Sequence, residues 1–288
     1  MTDLRYETPA TLEAAAALLA AEDGVARILA GGTDVLVQMH SDMVEPALLV
    51  DIKRIGEVRA FAREKGGWRI GAAVSGKEMM ENAEFNADWP GIMDGVRLIG
   101  SIQVRGRATI AGNLCNASPA ADSVPPMIVA GALTSIVGPA GRREVPVAEV
   151  AVGPGKTTLG KGEIVASFFL PDRPPRSGGA YLRFTPRTEM DIAVVGVAVS
   201  LTLDDGGICT DAQVCLGAVA ARALVVDEAA QAIVGTPVDD AAIEALARAA
   251  SAASRPIDDK RGTIGFRTEV AAELARRVCR IALERAKG

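Results

Sequence analysis

The chain has 288 residues, 49% of them hydrophobic, enough to bury substantial cores and better suited to two or three small domains than to one. Its 31 basic and 36 acidic residues leave a net charge of −5, which lacks the electrostatic footprint of a nucleic-acid binder. No apolar run reaches membrane-spanning length, and Asp3 and Glu7 around Arg5 stand where a signal peptide has its basic region, so a cytoplasmic location is expected.

The first part reads strand, helix, strand. Residues Leu4 to Glu7 are extended, Pro9 falls in the first turn of an alanine-rich helix reaching about Ala21, and Ala26 to Leu29 form a short buried strand. A glycine loop, Ala30-Gly31-Gly32-Thr33-Asp34, follows directly. A helix then starts at Val35, with Asp34 as a candidate N-cap, and Ala47 to Ile52 supply another apolar strand.

The second part opens with alternating segments around Val58 to Phe61 and Trp68 to Ala72. Ser75-Gly76-Lys77-Glu78 is a capping box for a helix through Met79 and Met80, and a further helix spans Pro90 to Ile99. A second glycine loop, Thr109-Ile110-Ala111-Gly112-Asn113, precedes a proline-initiated buried helix at Pro125 to Ala130. Strands are expected at Leu133 to Val137 and Ile164 to Leu170. The prolines and glycines between Pro171 and Gly179 read as a domain linker.

The third part offers three strands, Ala180 to Arg187, Val194 to Leu203 and Ile208 to Ala218, with Asp204-Asp205-Gly206-Gly207 as the turn between the last two. Helices follow at Val226 to Ile233, Asp239 to Ala253 and Thr263 to Ala286. Val270, Leu274, Val278 and Ile281 trace one apolar stripe on the last.

The two glycine loops read as halves of one anion cradle. Small residues let backbone N–H groups approach a ligand closely, and successive oriented amides bind phosphate without lysine or arginine. A dinucleotide pyrophosphate suits two such loops, although neither has the G-x-G-x-x-G spacing of a Rossmann site. The Gly155-Lys156-Thr157 segment is not a P-loop, because position 150 is Val150 and the following residues cannot start the required helix. Cys115, Cys209, Cys215 and Cys279 form no C-x-x-C pair and His40 is the single histidine, so four reduced thiols and no metal are expected. The Cys209 and Cys215 spacing fits two positions of one strand. No nucleophile with an organising base is visible, which suits a protein whose cofactor performs the chemistry.

Both loops, in this order, and the stretch from Ile102 to Asp122 that reads IQVRGRATIAGNLCNASPAAD resemble the FAD-binding medium subunits of molybdenum hydroxylases, the family of carbon monoxide dehydrogenase and xanthine dehydrogenase. The Gly153 to Thr157 loop with Gly162-Glu163-Ile164, and the segment from Tyr181 to Ala193, extend the resemblance over nearly the whole chain. It implies an α+β protein: a two-part FAD-binding domain of the PCMH or vanillyl-alcohol-oxidase type (residues 1–55 and 56–172), then a carbon monoxide dehydrogenase flavoprotein C-terminal domain (178–288) built of a three-stranded antiparallel sheet and helices. It further implies FAD contacts from Ile28, Leu29, Ala30, Gly31, Gly32, Thr33, Asp34, Val35, Ile102, Thr109, Ile110, Ala111, Gly112, Asn113, Asp122, Ile164 and Arg187, with Asp122 accepting from a ribose or ribityl hydroxyl. Relatives carry two adjacent glycines where this chain has Ala111 and Gly112; a left-handed backbone at Ala111 costs roughly 1 kcal/mol.

By the same resemblance the chain passes electrons from iron–sulfur clusters to an external acceptor. Its partners are a large molybdopterin subunit and a small subunit with two two-iron clusters, in a dimer of heterotrimers. The competing readings are a stand-alone flavin reductase or oxidase of the same fold, and a scaffold that has lost its cofactor. The sequence leaves the substrate and the acceptor open.

Overall fold

A computed structural model describes residues 4–288; Asp3 lies outside the described residues. The first part comprises β1 (Arg5–Glu7), α1 (Leu12–Ala21), β2 (Ala26–Leu29), α2 (Val35–His40) and β3 (Leu48–Asp51). Its strands form a parallel sheet in the order β1-β3-β2, with Leu48 opposite both Arg5 and Ala26. Parallel strands require crossovers, and α1 spans the one between β1 and β2. α1 begins later than the sequence suggests: Thr11 caps it by accepting from the Ala14 amide at 3.1 Å, leaving Pro9 outside the helix. Its buried residues Leu12, Ala15, Ala16 and Leu19 form one stripe.

The second part runs β4 (Phe61–Glu64), β5 (Gly67–Gly71), α3 (Gly76–Glu81), α4 (Ala83–Asp88), α5 (Pro90–Val96), α6 (Ile102–Arg105), α7 (Ile110–Cys115), α8 (Val124–Val129), β6 (Leu133–Gly138), β7 (Gly141–Pro146), β8 (Ala151–Gly153), β9 (Lys156–Thr157) and β10 (Ile164–Pro171). Five of these strands make an antiparallel sheet ordered β4-β5-β10-β6-β7. β10 is its middle strand and is buried along nearly its whole length, which is why residues 164–170 read as an unbroken apolar run. Around Val58 the expected strand is instead a single 3₁₀ turn, Glu57–Arg59. The capping box at Ser75 is present in full. α4, α6 and α7 are too short for a 3.6-residue period to register, yet each has a side-chain cap, from Asn82, Ser101 and Thr109 respectively.

The first two parts share one core, in which Leu12, Leu48 and Val50 meet Ile70, Ile136 and Phe168. The third part has its own: β11 (Ser177–Phe184), β12 (Val195–Leu203), β13 (Cys209–Gly217) and β14 (Leu224–Val225), with α9 (Asp227–Gln231), α10 (Asp240–Ala253) and α11 (Ile264–Lys287). The antiparallel sheet has four strands, not three, because Leu224 and Val225 pair with Leu216 and Cys215. Nor does the linker extend to Gly179. Ser177, Gly178 and Gly179 already belong to β11, since a Cβ on Gly178 would lie 2.0 Å from the Ala282 carbonyl of α11, and glycine lets helix and sheet meet there. One sheet face (Val197, Val199, Val214) packs on α10 and α11, while the other sends Tyr181, Ala198 and Cys215 into the core of the preceding parts. Cys209 and Cys215 lie on one strand, as their spacing suggests. Among the described residues, no helix is long and apolar enough to cross a membrane.

Candidate cofactor site

Gly31 is the hinge of the site. A Cβ there would lie 2.3 Å from the Arg107 carbonyl oxygen and 3.0 Å from Ala108 Cα, so only glycine allows this loop to lie against the chain just ahead of α7. Gly32 follows with φ of +84°, a left-handed conformation that glycine adopts without strain. The carbonyls of Gly32 and Asp34 turn into α2, accepting from Leu36 at 3.1 Å and Gln38 at 2.9 Å. The amides of Gly31, Gly32, Thr33 and Asp34 have no acceptor among the described residues. Four consecutive unpaired N–H groups at the start of a helix are the arrangement an anion completes.

The second glycine segment is not a loop. It is the first turn of α7, where Thr109, extended at φ −120° and ψ 152°, accepts from the Gly112 amide at 2.9 Å. Ala111 and Gly112 are therefore helical, neither has a positive φ, and the cost that a left-handed backbone would impose at Ala111 does not arise. The Ala111 amide also has no acceptor among the described residues, although the residue is buried. Asn113 Oδ1 accepts from the amide of Ser123 at 3.2 Å and from its hydroxyl at 2.7 Å. Because a backbone amide can only donate, this fixes the orientation of the Asn113 side chain and leaves its NH₂ free to donate. The Gly76 amide bonds Ala108 O at 2.8 Å, and Gln38 Nε2 reaches Asn116 Oδ1 at 3.3 Å, pinning α7 to α3 and α2. Two helix N-termini, 75 residues apart in the chain as counted from Val35 to Ile110, thus start side by side.

The remaining expected contacts fall in several places. Ile28 and buried Leu29 lie on β2 beneath the loop, and Val35 opens α2. Asp34 has no side-chain capping bond, contrary to expectation, and the surrounding protein raises its carboxyl although the residue reaches the surface. Ile102 is 70% exposed on α6, whereas Ile164 is enclosed by the core at 1% exposure. Arg187 is exposed and held by Asp191 in the turn after β11.

Asp122 joins the second part to the third. It is buried, accepts from Tyr181 Oη at 2.9 Å, and pairs through its other oxygen with Arg183. Both oxygens thereby bond to the third part. Burial pushes its carboxyl up to about 6, against the downward pull of Arg183 and Tyr181. Tyr181 and Arg183 were not singled out by sequence reasoning, yet their i, i+2 spacing on a strand places both on one face. Arg105 was also missed: it is 7% exposed, donates to the carbonyls of Ile99 and Gly100, and keeps its Nε unpartnered. The Gly155 segment is a short hairpin between β8 and β9, tied by the Gly155 amide to Ala117 O at 3.1 Å, and starts no helix. Among the described residues no group of three potential metal ligands is assembled.

A parallel βαβ unit and an antiparallel α+β unit that bring two helix starts together around exposed amides define a split dinucleotide-binding flavoprotein. The amides of Gly31 to Asp34 and the Asn113 NH₂ fit the pyrophosphate of FAD. Residues 2–173 match the family described as "FAD binding domain in molybdopterin dehydrogenase", and residues 180–282 match "CO dehydrogenase flavoprotein C-terminal domain". The chain belongs to the FAD-binding oxidoreductase subunits of the molybdopterin dehydrogenase family. It is 31% identical over 285 residues to a putative xanthine dehydrogenase FAD-binding subunit of Escherichia coli K12, covering 98% of this chain and 97% of that protein. It is 32% identical over 282 residues to the carbon monoxide dehydrogenase medium chain of Afipia carboxidovorans, with 98% and 97% covered. Among solved structures, the Cu,Mo-CO dehydrogenase in its cyanide-inactivated form matches with a TM-score of 0.93 at 32% identity, covering 98% of each chain. Quinoline 2-oxidoreductase from Pseudomonas putida 86 matches with a TM-score of 0.91 at 28% identity, covering 99% and 98%.

Proposed function

We propose that this chain is the electron-transfer subunit of a molybdenum hydroxylase complex, taking electrons from two-iron clusters of a small subunit and delivering them to an external acceptor. Substrate oxidation then belongs to a large molybdopterin subunit, and the complex is a dimer of heterotrimers in the cytoplasm. The observation that carries this reading is the run of four unpaired amides from Gly31 to Asp34, pressed against Arg107 and Ala108 ahead of α7.

Bound FAD supplies the redox chemistry, which leaves the protein the tasks of binding, orienting and tuning. The amides of Gly31, Gly32, Thr33, Asp34 and Ala111 and the Asn113 NH₂ would hold the pyrophosphate as donors. Leu29 and Leu36 flank Gly32 and keep its turn in place, since a Cβ there would meet both. Thr109 holds the start of α7 through its cap, and Asn113 holds α7 to Ser123 beside Asp122. Asp122 in turn locks the third part, residues 178–288, onto the cofactor-binding part through Tyr181 and Arg183.

Anaerobic stopped-flow spectroscopy tests the division of labour. With the substrate of the complex, the flavin absorbance of the isolated chain should stay oxidised and should bleach once the iron–sulfur and molybdenum subunits are restored. Rapid bleaching in the isolated chain would refute the proposal and favour a stand-alone reductase.

A further inference from the structure

The face of the third-part sheet that meets the second part changes character along its length. Tyr181, Ala198 and Cys215 are buried in the shared core. Further along the same face, Ser177 lies opposite Thr202 and Thr202 opposite Asp211, while Gly179 lies opposite Ser200 and Ser200 opposite Gln213. α5 touches the sheet at Gly179, where a Cβ on Gly91 would lie 2.7 Å from the backbone, and beside that contact a cavity of about 150 Å³ opens between the two parts. Trp89, Pro126 and Val129 form its apolar side, and none of the cradle residues lines it.

Arg173, from the connection between β10 and β11, enters this wedge. Its guanidinium lies over the Trp89 ring at 5.8 Å and donates to Ser177 O at 3.1 Å. No carboxylate pairs with it among the described residues, because the nearby acids are committed elsewhere. Asp172 accepts from Arg63 at 3.1 Å, Asp88 from Trp68 Nε1 at 2.8 Å, and Asp94 from Arg285 at 2.6 Å. Burial lowers the pKa of Arg173, opposed by Asp88 and reinforced by Arg285, so an arriving anion is favoured. A guanidinium carries five donors and one is used here, which leaves a fork for a carboxylate. Asp211, on the opposite wall, is exposed, and its carboxylate accepts no hydrogen bond among the described residues.

The opposite charges on facing walls select the ligand. Ser177 and Asp211 stand two strand separations apart, about 10 Å. A guanidinium fork on one wall and a carboxylate on the other suit a compact zwitterion. A cavity of this size accommodates a molecule about as large as benzene. We propose that this wedge binds a small zwitterionic amino acid with an aliphatic side chain, its carboxylate on Arg173, its ammonium toward Asp211, and its side chain against Pro126 and Val129.

Isothermal titration of the FAD-loaded full chain with L-valine, L-valinamide and isovalerate tests this. L-Valine should bind at one site, with valinamide (no carboxylate) and isovalerate (no ammonium) each weaker by about tenfold or more. Arg173→Gln and Asp211→Asn should each weaken L-valine by a similar factor at unchanged flavin content, and Arg173→Lys should recover part of the loss. Absence of L-valine binding at about 10 mM would overturn the site, as would undiminished binding by Arg173→Gln. Equal binding of isovalerate and L-valine would overturn the zwitterion assignment. Should Arg173→Gln fail to fold, Arg173→Lys, Asp211→Asn and the two analogues still decide the matter.

Discussion

Replacing Gly31 with alanine puts a methyl group 2.3 Å from the Arg107 carbonyl oxygen, about 1 Å inside an ordinary contact. The oxygen has little room to yield. The amides of Arg107 and Ala108 are both bonded to Val104 O, at 2.9 and 2.8 Å, and Ala108 O is held by the Gly76 amide at 2.8 Å. The glycine loop must therefore move instead, by about 1 Å, which stretches a hydrogen bond of about 2.9 Å beyond bonding range. Losing two of the four amide bonds to a charged pyrophosphate, at about 1.5–3 kcal/mol each, costs about 3–6 kcal/mol. That corresponds to about a 10²- to 10⁴-fold weaker Kd for FAD. Flavin per chain after purification and a fluorescence titration of the apoprotein measure it, with circular dichroism to verify the fold. Gly265→Ala, on the open surface of α11 with nothing within 4 Å of the new Cβ, serves as the control and should bind FAD as the wild type does. A correctly folded Gly31→Ala chain with a Kd within about twofold of wild type would refute the cradle.

Gly32→Val should also lower flavin content sharply, because a β-branched residue is strained at φ +84° and its side chain meets Leu29 and Leu36; unchanged stoichiometry would sink that assignment. Asp122→Ala leaves Arg183 buried without its carboxylate and should destabilise the chain by about 3–5 kcal/mol in urea unfolding, so a loss below about 1 kcal/mol would count against the pair. The folded-state value of Asp122, about 6, lies above that of an unfolded carboxyl, so the folded chain holds this proton more tightly. Its contribution is full below about pH 4 and is lost as pH rises through about 6, and the wild type should lose stability over that window relative to Asp122→Asn; a constant difference would contradict the assignment. Ser75→Ala removes the cap of α3 and should cost about 1 kcal/mol by the same unfolding assay, whereas no measurable change would mean that Glu78 alone holds the end. Gly178→Ala drives a Cβ to 2.0 Å from Ala282 O and should lower the Tm by several degrees, and a neutral effect would show that α11 can lift from the sheet.

Much of the architecture was legible in short-range chemistry. The capping box at Ser75, Pro90 at the start of α5, the hairpin at Asp204 to Gly207 and the run at Ile164 to Leu170 each encode their element within a few residues. The adjacent glycines at 31 and 32 announced exposed backbone for the same reason: few structures other than a close approach need two residues without side chains there. Three short helices escaped notice because one turn of helix has no period to detect, and the second glycine segment was read as a loop when its threonine is a helix cap.

The sequence alone determined the local backbone, the strand and helix faces, and the composition of a site built from amides. Tertiary structure decided what those groups touch. Gly31 rests on Arg107, Asp122 faces Arg183 from 61 residues away, and Arg173 stands in a wedge opposite Asp211. None of these pairings follows from spacing along the chain. A carboxylate's local sequence is the same whether it faces a ligand, solvent or a buried arginine, and only the packing of one part against another sets which of these takes its proton or its hydrogen bond.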